Sequence, residues 1–405
     1  MINILRSLVA AISLGAMMIP AAAASTPSQC DAFLAEWLNP ADGQRLSQQE
    51  LLDEMVKRPV VLLGEVHVNA DHHRWQTNVL AALHSREPNL VIGLEMLPRR
   101  MQPVLDEWSR GRLDEEEFLE RAQWRELWGY DAELYLPILH FARMHRLPMV
   151  ALNIDRELVS KVGAEGWESL ARDERMGLSD PAPASEAYRL SLGELFTYKM
   201  SAGIHGNTHE QSEDAPQLEE VMQMEAFDNF VDAQLTWDRA MAEALADAHR
   251  LDPDAVVVGI VGRGHLEYDY GIPTQLADLG IDDPAVLLPV DDNDCEYIEA
   301  GLADAVFIVE NRPAQEPAPR PRLGVMIETA DIGVYIMQVV DDSVAEASGL
   351  QEGDIVRRAA GFETESVDAL IEVIRRQAPG TWLPLDILRD GEEIQVVAKF
   401  PQQFE

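Results

Sequence analysis

Val60-Val61-Leu62-Leu63-Gly64-Glu65-Val66-His67 and Ala255-Val256-Val257-Val258-Gly259-Ile260-Val261-Gly262-Arg263-Gly264-His265 decide the fold. Each is an unbroken apolar, mostly β-branched run that ends in G-x-x-H. A strand apolar at every position is buried on both faces, as in a parallel sheet covered by helices on its two sides. Working outward, similar runs occur at Leu90 to Met96, Met149 to Ile154, Ala285 to Val290 and Ala305 to Val309, most of them separated by helical stretches. The expectation is an α/β domain with a largely parallel sheet flanked by helices.

The helices carry readable starts: Asp71 precedes one, Asp114 with Glu117 forms a capping-box pattern, and Asp131 opens a third. The longest helical stretch runs from 217 to 249, with Val221, Met224, Phe227, Val231, Met241 and Leu245 on one stripe. Gln234 and Asp238 share that stripe, so they either brace the core or point into a polar site.

Ligands of parallel α/β sheets collect at the carboxyl ends of the strands. The first strand ends on Glu65 and His67, the second on Glu95, the third on Asn153 and the fourth on His265. Glu65, His67, Glu95 and His265 are therefore expected in one site. Imidazole and carboxylate are ordinary ligands of zinc, manganese, cobalt or iron, and Glu65 or Glu95 could act as general base for a metal-bound water. Taken singly, each histidine reads as a loop residue; placement at four strand ends argues for the group. His72 and His73 fall in the first turn of a helix, where N–H groups attract anions, although first-turn histidines are also common on surfaces.

The 405-residue chain is 47% hydrophobic, enough for two or three domains, and carries a formal charge of −39. That charge excludes nucleic acid as a partner and reads as a solvated acidic surface. Residues 1–24 read as a signal peptide: Arg6, an apolar run from Leu8 to Ile19, then Ala22-Ala23-Ala24. The run is shorter than the roughly 20 residues a membrane span needs. The mature chain is thus expected in the periplasm or secreted. There Cys30 and Cys295, the only cysteines, either pair or stay free thiols. Pro27-Ser28-Gln29 before Cys30 is unlike a lipoprotein signal, so no lipid anchor is expected. The α/β domain is placed at 25–310. Residues 311–322, with four prolines, read as a semi-rigid linker, and 323–405 read as a small separate domain.

Several ordered pieces resemble the ChaN family of haem-binding uptake proteins. They are Gly64-Glu65-Val66-His67, His72-His73-x-x-Gln76, Gly93-Leu94-Glu95-Met96 with Gln102, and Trp124-x-x-x-Trp128-Gly129. Tyr135-x-Pro137-Ile138-Leu139, Ala151-Leu152-Asn153, Gln234-x-x-Trp237-Asp238-x-x-Met241-Ala242 and Gly262-x-Gly264-His265 continue the series. The resemblance implies haem as a ligand, a role in iron acquisition, and His67, Glu95 and His265 as site residues; His72, Gln234 and Asp238 are further candidates to line the cofactor. It extends to the wider Tiki and TraB superfamily, whose two G-x-x-H motifs and glutamate imply a metal-dependent, peptidase-like site. Haem needs an axial ligand. Segment 196–209 offers Tyr198, Met200, His205 and His209, with Gly203 and Gly206 arguing for a loop; a lid without ligand role is the alternative. There is no C-x-x-C-H attachment signal, so any haem is expected to be non-covalent.

The C-terminal segment resembles a bacterial PDZ domain. Arg322-Leu323-Gly324-Val325, Gly333-Val334-Tyr335, Ser343-x-Ala345-x-x-Ser348-Gly349-Leu350-x-x-Gly353-Asp354 and Gly391 in a late hairpin carry the likeness. It implies β-rich structure with two short helices, and a loop at Leu323, Gly324 and Val325 that holds the terminal carboxylate of a partner's peptide. Ala359-Ala360-Gly361 stands where such domains usually read Val-Asn-Gly. Three functions follow as expectations: an exported haem-binding protein with a PDZ docking module, a metal-dependent hydrolase, or a non-catalytic scaffold acting through its PDZ domain. Self-association as a homodimer stays open.

Overall fold

The computed structural model describes residues 33–203, 216–312, 321–330 and 332–402. The chain forms two compact units, Met1–Asn311 and Arg312–Glu405. In the first, an eight-stranded sheet is built from β1 (Trp37–Leu38), β2 (Arg45–Leu46), β3 (Val60–Glu65), β4 (Leu90–Pro98), β5 (Met149–Asn153), β6 (Val256–Gly262), β7 (Ala285–Asp291) and β8 (Ala305–Val309). The order is β2-β1-β8-β7-β3-β6-β4-β5. β3 to β8 are parallel to one another, whereas β1 runs antiparallel to both β8 and β2. The antiparallel β1–β2 addition was not legible: two-residue strands carry no periodicity.

Successive residues of the central strands enter different cores. Val61, Leu63, Ile92, Val258 and Ile260 pack on one face, while Val60, Leu62, Val91, Val257 and Val261 pack on the other. Full burial of each such side chain contributes roughly 1.5–3 kcal/mol, which is why neither face tolerates polar alternation. The α/β architecture with a mostly parallel sheet flanked by helices is as expected.

The helix after β3, Ala70–His84, starts one turn's edge earlier than Asp71 suggests. Asn69, in extended conformation, is its N-cap, and its side chain accepts the N–H groups of Asp71 and His72. Asp114 and Glu117 form the full capping box on Glu115–Arg121, and Asp131 opens a 3-10 turn at Ala132–Leu134. The stretch expected as one helix from 217 is two, Leu218–Val221 and Glu225–Leu251, because Met224 between them is extended. The longer one lies close on the sheet: a Cβ at Gly93 or Gly259 would meet Leu245 Cδ2 at 3.0 or 3.4 Å. Two turns before Leu245, roughly 10 Å along the axis, comes Asp238, which this close approach brings to the strand ends.

From β3 the chain passes β6 to reach β4, and from β6 it passes β3 to reach β7. Connections thus leave the β3–β6 pair in opposite directions, opening a crevice at its carboxyl ends. Among the described residues no helix is long and apolar enough to cross a membrane.

The second unit is a six-stranded antiparallel sheet: β9 (Val325–Ala330), β10 (Gly333–Val339), β11 (Ile355–Ala359), β12 (Phe362–Glu363), β13 (Trp382–Arg389) and β14 (Glu392–Lys399). Helices Val344–Ala347 and Val367–Arg375 complete it around Val334, Ile336, Val356, Leu370 and Leu385. Buried Asp354 is clamped by Arg389 Nε and Nη2, both at 2.7 Å.

Candidate functional site

Gly262 is the hub of the strand-end site. It pairs in register with Glu65 across β3 and β6, and its N–H donates to Glu95 Oε2 at 2.6 Å. A Cβ there would stand 2.8 Å from His67 Cε1, 3.2 Å from His67 Nε2 and 3.5 Å from Glu95 Oε2. Only glycine lets those groups close around one backbone position. His265 Nε2 lies 3.8 Å from Glu95 Oε1. The four expected residues therefore do converge.

Each histidine is oriented from behind by a buried carboxylate. His67 Nδ1 donates to Glu65 Oε1 at 2.7 Å, and His265 Nδ1 donates to Asp238 Oδ1 at 2.5 Å. Burial alone would push Glu65 upward, but hydrogen bonds and charge from His67 and His73 outweigh it and hold the carboxyl at about 2. Burial opposes charging of His265 as well, yet Asp238 and Glu95 raise it to about 9. Burial likewise works against His67, and Glu65 with Glu95 prevails, raising it.

Sequence reasoning missed the outer layer. Tyr135 donates to Glu65 Oε1 at 2.8 Å, and burial followed by the Glu65 charge drives its phenol far upward. His73 Nδ1 sits 2.8 Å from Glu65 Oε2 and 3.2 Å from Gln76 Oε1, while its Nε2 donates to His67 O at 3.1 Å. Tyr188 donates to Asp238 Oδ2 at 2.8 Å. Trp128 and Tyr130 pack on the His67 ring with centroids 4.7 and 5.0 Å away, and Trp237 lies edge-on to His265 at 5.8 Å. Tyr135, Gln76 and Trp128 sit in the quoted motifs, but nothing local assigns their partners.

Other expectations are corrected. His72 turns both ring nitrogens inward: Nδ1 accepts from the Val66 N–H at 3.0 Å and Nε2 donates to Asp291 Oδ1 at 3.3 Å, so it braces the loop and offers no nitrogen to a ligand. Asp238, by contrast, points into the polar site, whereas Gln234 on the same helix is half-buried. Tyr198 and Met200 lie on a helix, Glu186–Gly203, and Tyr198 is 71% exposed. His205 and His209 lie outside the described residues. His67, Glu95 and His265 meet, but among the described residues no three His, Cys, Asp or Glu side chains form a metal-holding group. Cys295 is disulfide-bonded; Cys30 lies outside the described residues.

In the second unit, Leu323 is buried, with its carbonyl accepting from Ala345 N–H at 2.8 Å, and the Gly324 carbonyl accepts from Val340 N–H at 2.9 Å. Gly324 has φ +84°, and a Cβ would come within 2.3 Å of Ser343 Cβ. β9 is an edge strand that pairs only with β10 among the described residues, and Val367 at the start of the neighbouring helix donates its N–H to Thr329 Oγ1 on β9 at 3.2 Å. Val325 and Ile327 on β9 and Val367 and Val373 on the helix pack partly buried against the core.

Comparison with known proteins agrees with this architecture. Residues 51–276 match the family described as "Haem-binding uptake, Tiki superfamily, ChaN", and residues 321–399 match the PDZ domain family. The solved structure described as "Cofacial heme binding to ChaN of Campylobacter jejuni" superposes with a TM-score of 0.51 at 19% identity, covering 68% of this chain and 97% of that one. Two proteins described as "Probable periplasmic serine endoprotease DegP-like", from Chlamydia trachomatis and Chlamydia muridarum, are each 38% identical over 64 residues, or 16% of this chain. The chain spans 13% of the length of these curated relatives. With the family match covering more than half of its length, this chain belongs to the ChaN haem-binding uptake family of the Tiki superfamily and carries a C-terminal PDZ domain.

Proposed function

We propose that the chain is an exported protein that binds haem non-covalently at the β3–β4–β6 strand ends for iron or haem acquisition, with the PDZ domain docking a protein partner's C-terminus. The observation that carries it is His67. Its Nδ1 is fixed on a buried carboxylate, its side chain is 27% exposed, and two aromatic rings pack against it. Carboxylate-oriented imidazoles are good iron ligands, the Nδ1 bond fixing the ring and raising its basicity. Val66 and Val68 flank His67 in sequence and are exposed, and exposed Tyr130 packs on its ring, the kind of apolar rim a porphyrin needs. The cofacial haem described for the Campylobacter jejuni protein supports the ligand. Export rests on the signal-like residues 1–24 and the disulfide-bonded Cys295.

Haemin titrated into the full mature chain should give a Soret shift saturating at a defined stoichiometry, with His67→Ala weakening binding tenfold or more. Absence of saturable binding overturns the reading. Sedimentation with and without haemin tests the accompanying homodimer, expected only with haemin.

One observation favours a second reading, a metal-dependent hydrolase of peptidase type. The paired orienting carboxylates, Glu65 on His67 and Asp238 on His265, leave both Nε2 atoms on the Glu95 side. Such carboxylate–histidine pairs are a recurrent support for divalent metals such as zinc, manganese or cobalt. Here Glu95 is the candidate base. Metal analysis and peptide hydrolysis lost in His265→Ala would favour it; no bound metal and no His265-dependent turnover would remove it.

A further inference from the structure

At the opposite pole of the first unit, next to the amino end of β5, a cavity of about 700 Å³ is lined by Arg110, Arg143 and Arg146 together with Gly111 and Ser109. The only carboxylate in its lining is Asp106, whose Oδ2 accepts from Arg110 Nη2 at 3.1 Å. Arg143 and Arg146 have no ion-pair partner among the described residues. This concentration of guanidinium charge belongs to a chain with 32 basic residues against 71 acidic ones.

Arg110 and Arg146 cap the ends of the helices Gln102–Ser109 and Leu136–His145, and Arg143 lies in the last turn of the second, so charge compensation of those ends is the competing account. The backbone already meets much of that need. Arg110, Gly111 and Arg112 N–H groups donate to Asp106, Trp108 and Glu107 carbonyls, and Arg146 and Leu147 N–H groups donate to Arg143 and Ala142 carbonyls. Guanidinium donors therefore remain for an outside partner. Arg143 is also pre-positioned: its guanidinium lies over the fully buried Trp108 ring at 4.4 Å from the centroid, and Trp108 is itself pinned by a bond from Nε1 to Leu139 O at 3.1 Å. A planar cation seated over a fixed ring keeps N–H groups available for bidentate contact with an oxyanion.

We propose that this cavity binds a small, multiply charged phosphate-bearing solute. A concave site can take such a ligand within the field of its own arginines, because other charges are screened beyond about 8 Å at physiological salt. An anionic bilayer would instead meet the field of a chain with net charge −39, so a small solute is favoured over a lipid headgroup.

The test is calorimetric titration of the full mature chain with sodium pyrophosphate in 0.15 M salt, beside citrate and vesicles rich in an anionic phospholipid. The expected result is saturable pyrophosphate binding with a Kd below about 1 mM, weaker at higher salt, and reduced tenfold or more in both Arg146→Gln and Arg143→Gln. Arg146→Gln removes an exposed side chain and keeps the Trp108 contact, so loss in that variant is not a folding effect; unchanged haemin titration provides the control. No saturable binding, equal binding by both variants, citrate binding as tight as pyrophosphate, or vesicle binding without pyrophosphate binding would each overturn the proposal.

Discussion

Asp238 and His265, 27 positions apart in sequence, share a hydrogen bond of 2.5 Å from Nδ1 to Oδ1, and Tyr188 caps the other carboxylate oxygen. The pair raises His265 from 6.5 to about 9 despite burial. A group raised in the folded state stabilises fully below its unfolded value and loses that contribution as pH climbs through the folded one. Between pH 6.5 and 9 the shift corresponds to about 3 kcal/mol. In Asp238→Asn the urea midpoint should therefore fall at pH 6 and change far less between pH 6 and 9.5 than in the parent chain. NMR of the His265 ring should show titration close to an ordinary histidine. A parent-like slope in the variant would remove Asp238 as the cause.

Glu65 works in the opposite sense. Its carboxyl is held at about 2, below the usual 4.5, so its contribution is complete above pH 4.5 and fades as pH falls toward 2. Glu65→Gln leaves His67, His73 and Tyr135 facing an amide, and breaking such a buried cluster costs about 3–5 kcal/mol. Stability at pH 7 should drop by that order, and the acid limb of the stability profile below pH 4.5 should become shallower. Denaturant melts at pH 3, 4, 5 and 7 read both effects.

The sheet and the convergence of four site residues were legible because two-sided burial writes itself as unbroken apolar runs, and because strand ends are positional markers. What lay beyond that depends on contacts distant in sequence. Tyr135 reaches Glu65 across 70 positions and Tyr188 reaches Asp238 across 50. Neither spacing has a local signature. His72 and His73 are chemically identical neighbours, yet one faces Asp291 and the other Glu65, since consecutive helical residues point about 100° apart. The Asn69 cap and the break at Met224 turn on single backbone conformations that residue type constrains only weakly. The second unit was legible through its resemblance to PDZ domains, and two glycines of the quoted pieces, Gly353 and Gly391, are both in left-handed conformation.

Ala360 occupies a left-handed position, φ +52°, beside Gly361 at +87° in the turn joining β11 to β12. An L-residue pays roughly 1–2 kcal/mol there, and asparagine pays less because its side chain bonds locally. Ala360→Asn should raise the stability of the second unit by about 0.5–1 kcal/mol. Calorimetric unfolding of the full chain reads this as an upward shift confined to the transition of that unit. An unchanged or lowered transition would mean that the turn relaxes in solution.

Gly324 makes the sharpest demand on the peptide-docking proposal. Its φ of +84° is open to glycine, and an added methyl would fall 2.3 Å from Ser343 Cβ, a backbone-proximal atom with little room to retreat. Gly324→Ala must therefore move the Leu323–Val325 segment, together with the bond from Val340 N–H to Gly324 O. If that segment supplies the N–H groups that hold a peptide carboxylate, a labelled peptide with a free apolar C-terminus should bind the parent chain and lose at least tenfold in affinity to Gly324→Ala. The same peptide amidated at its end should bind neither. Haemin titration, which reads the other unit, should be unchanged. Retained binding by the variant, or equal binding of the amidated peptide, would place docking elsewhere, because no conformation open to alanine at this φ leaves Ser343 undisturbed.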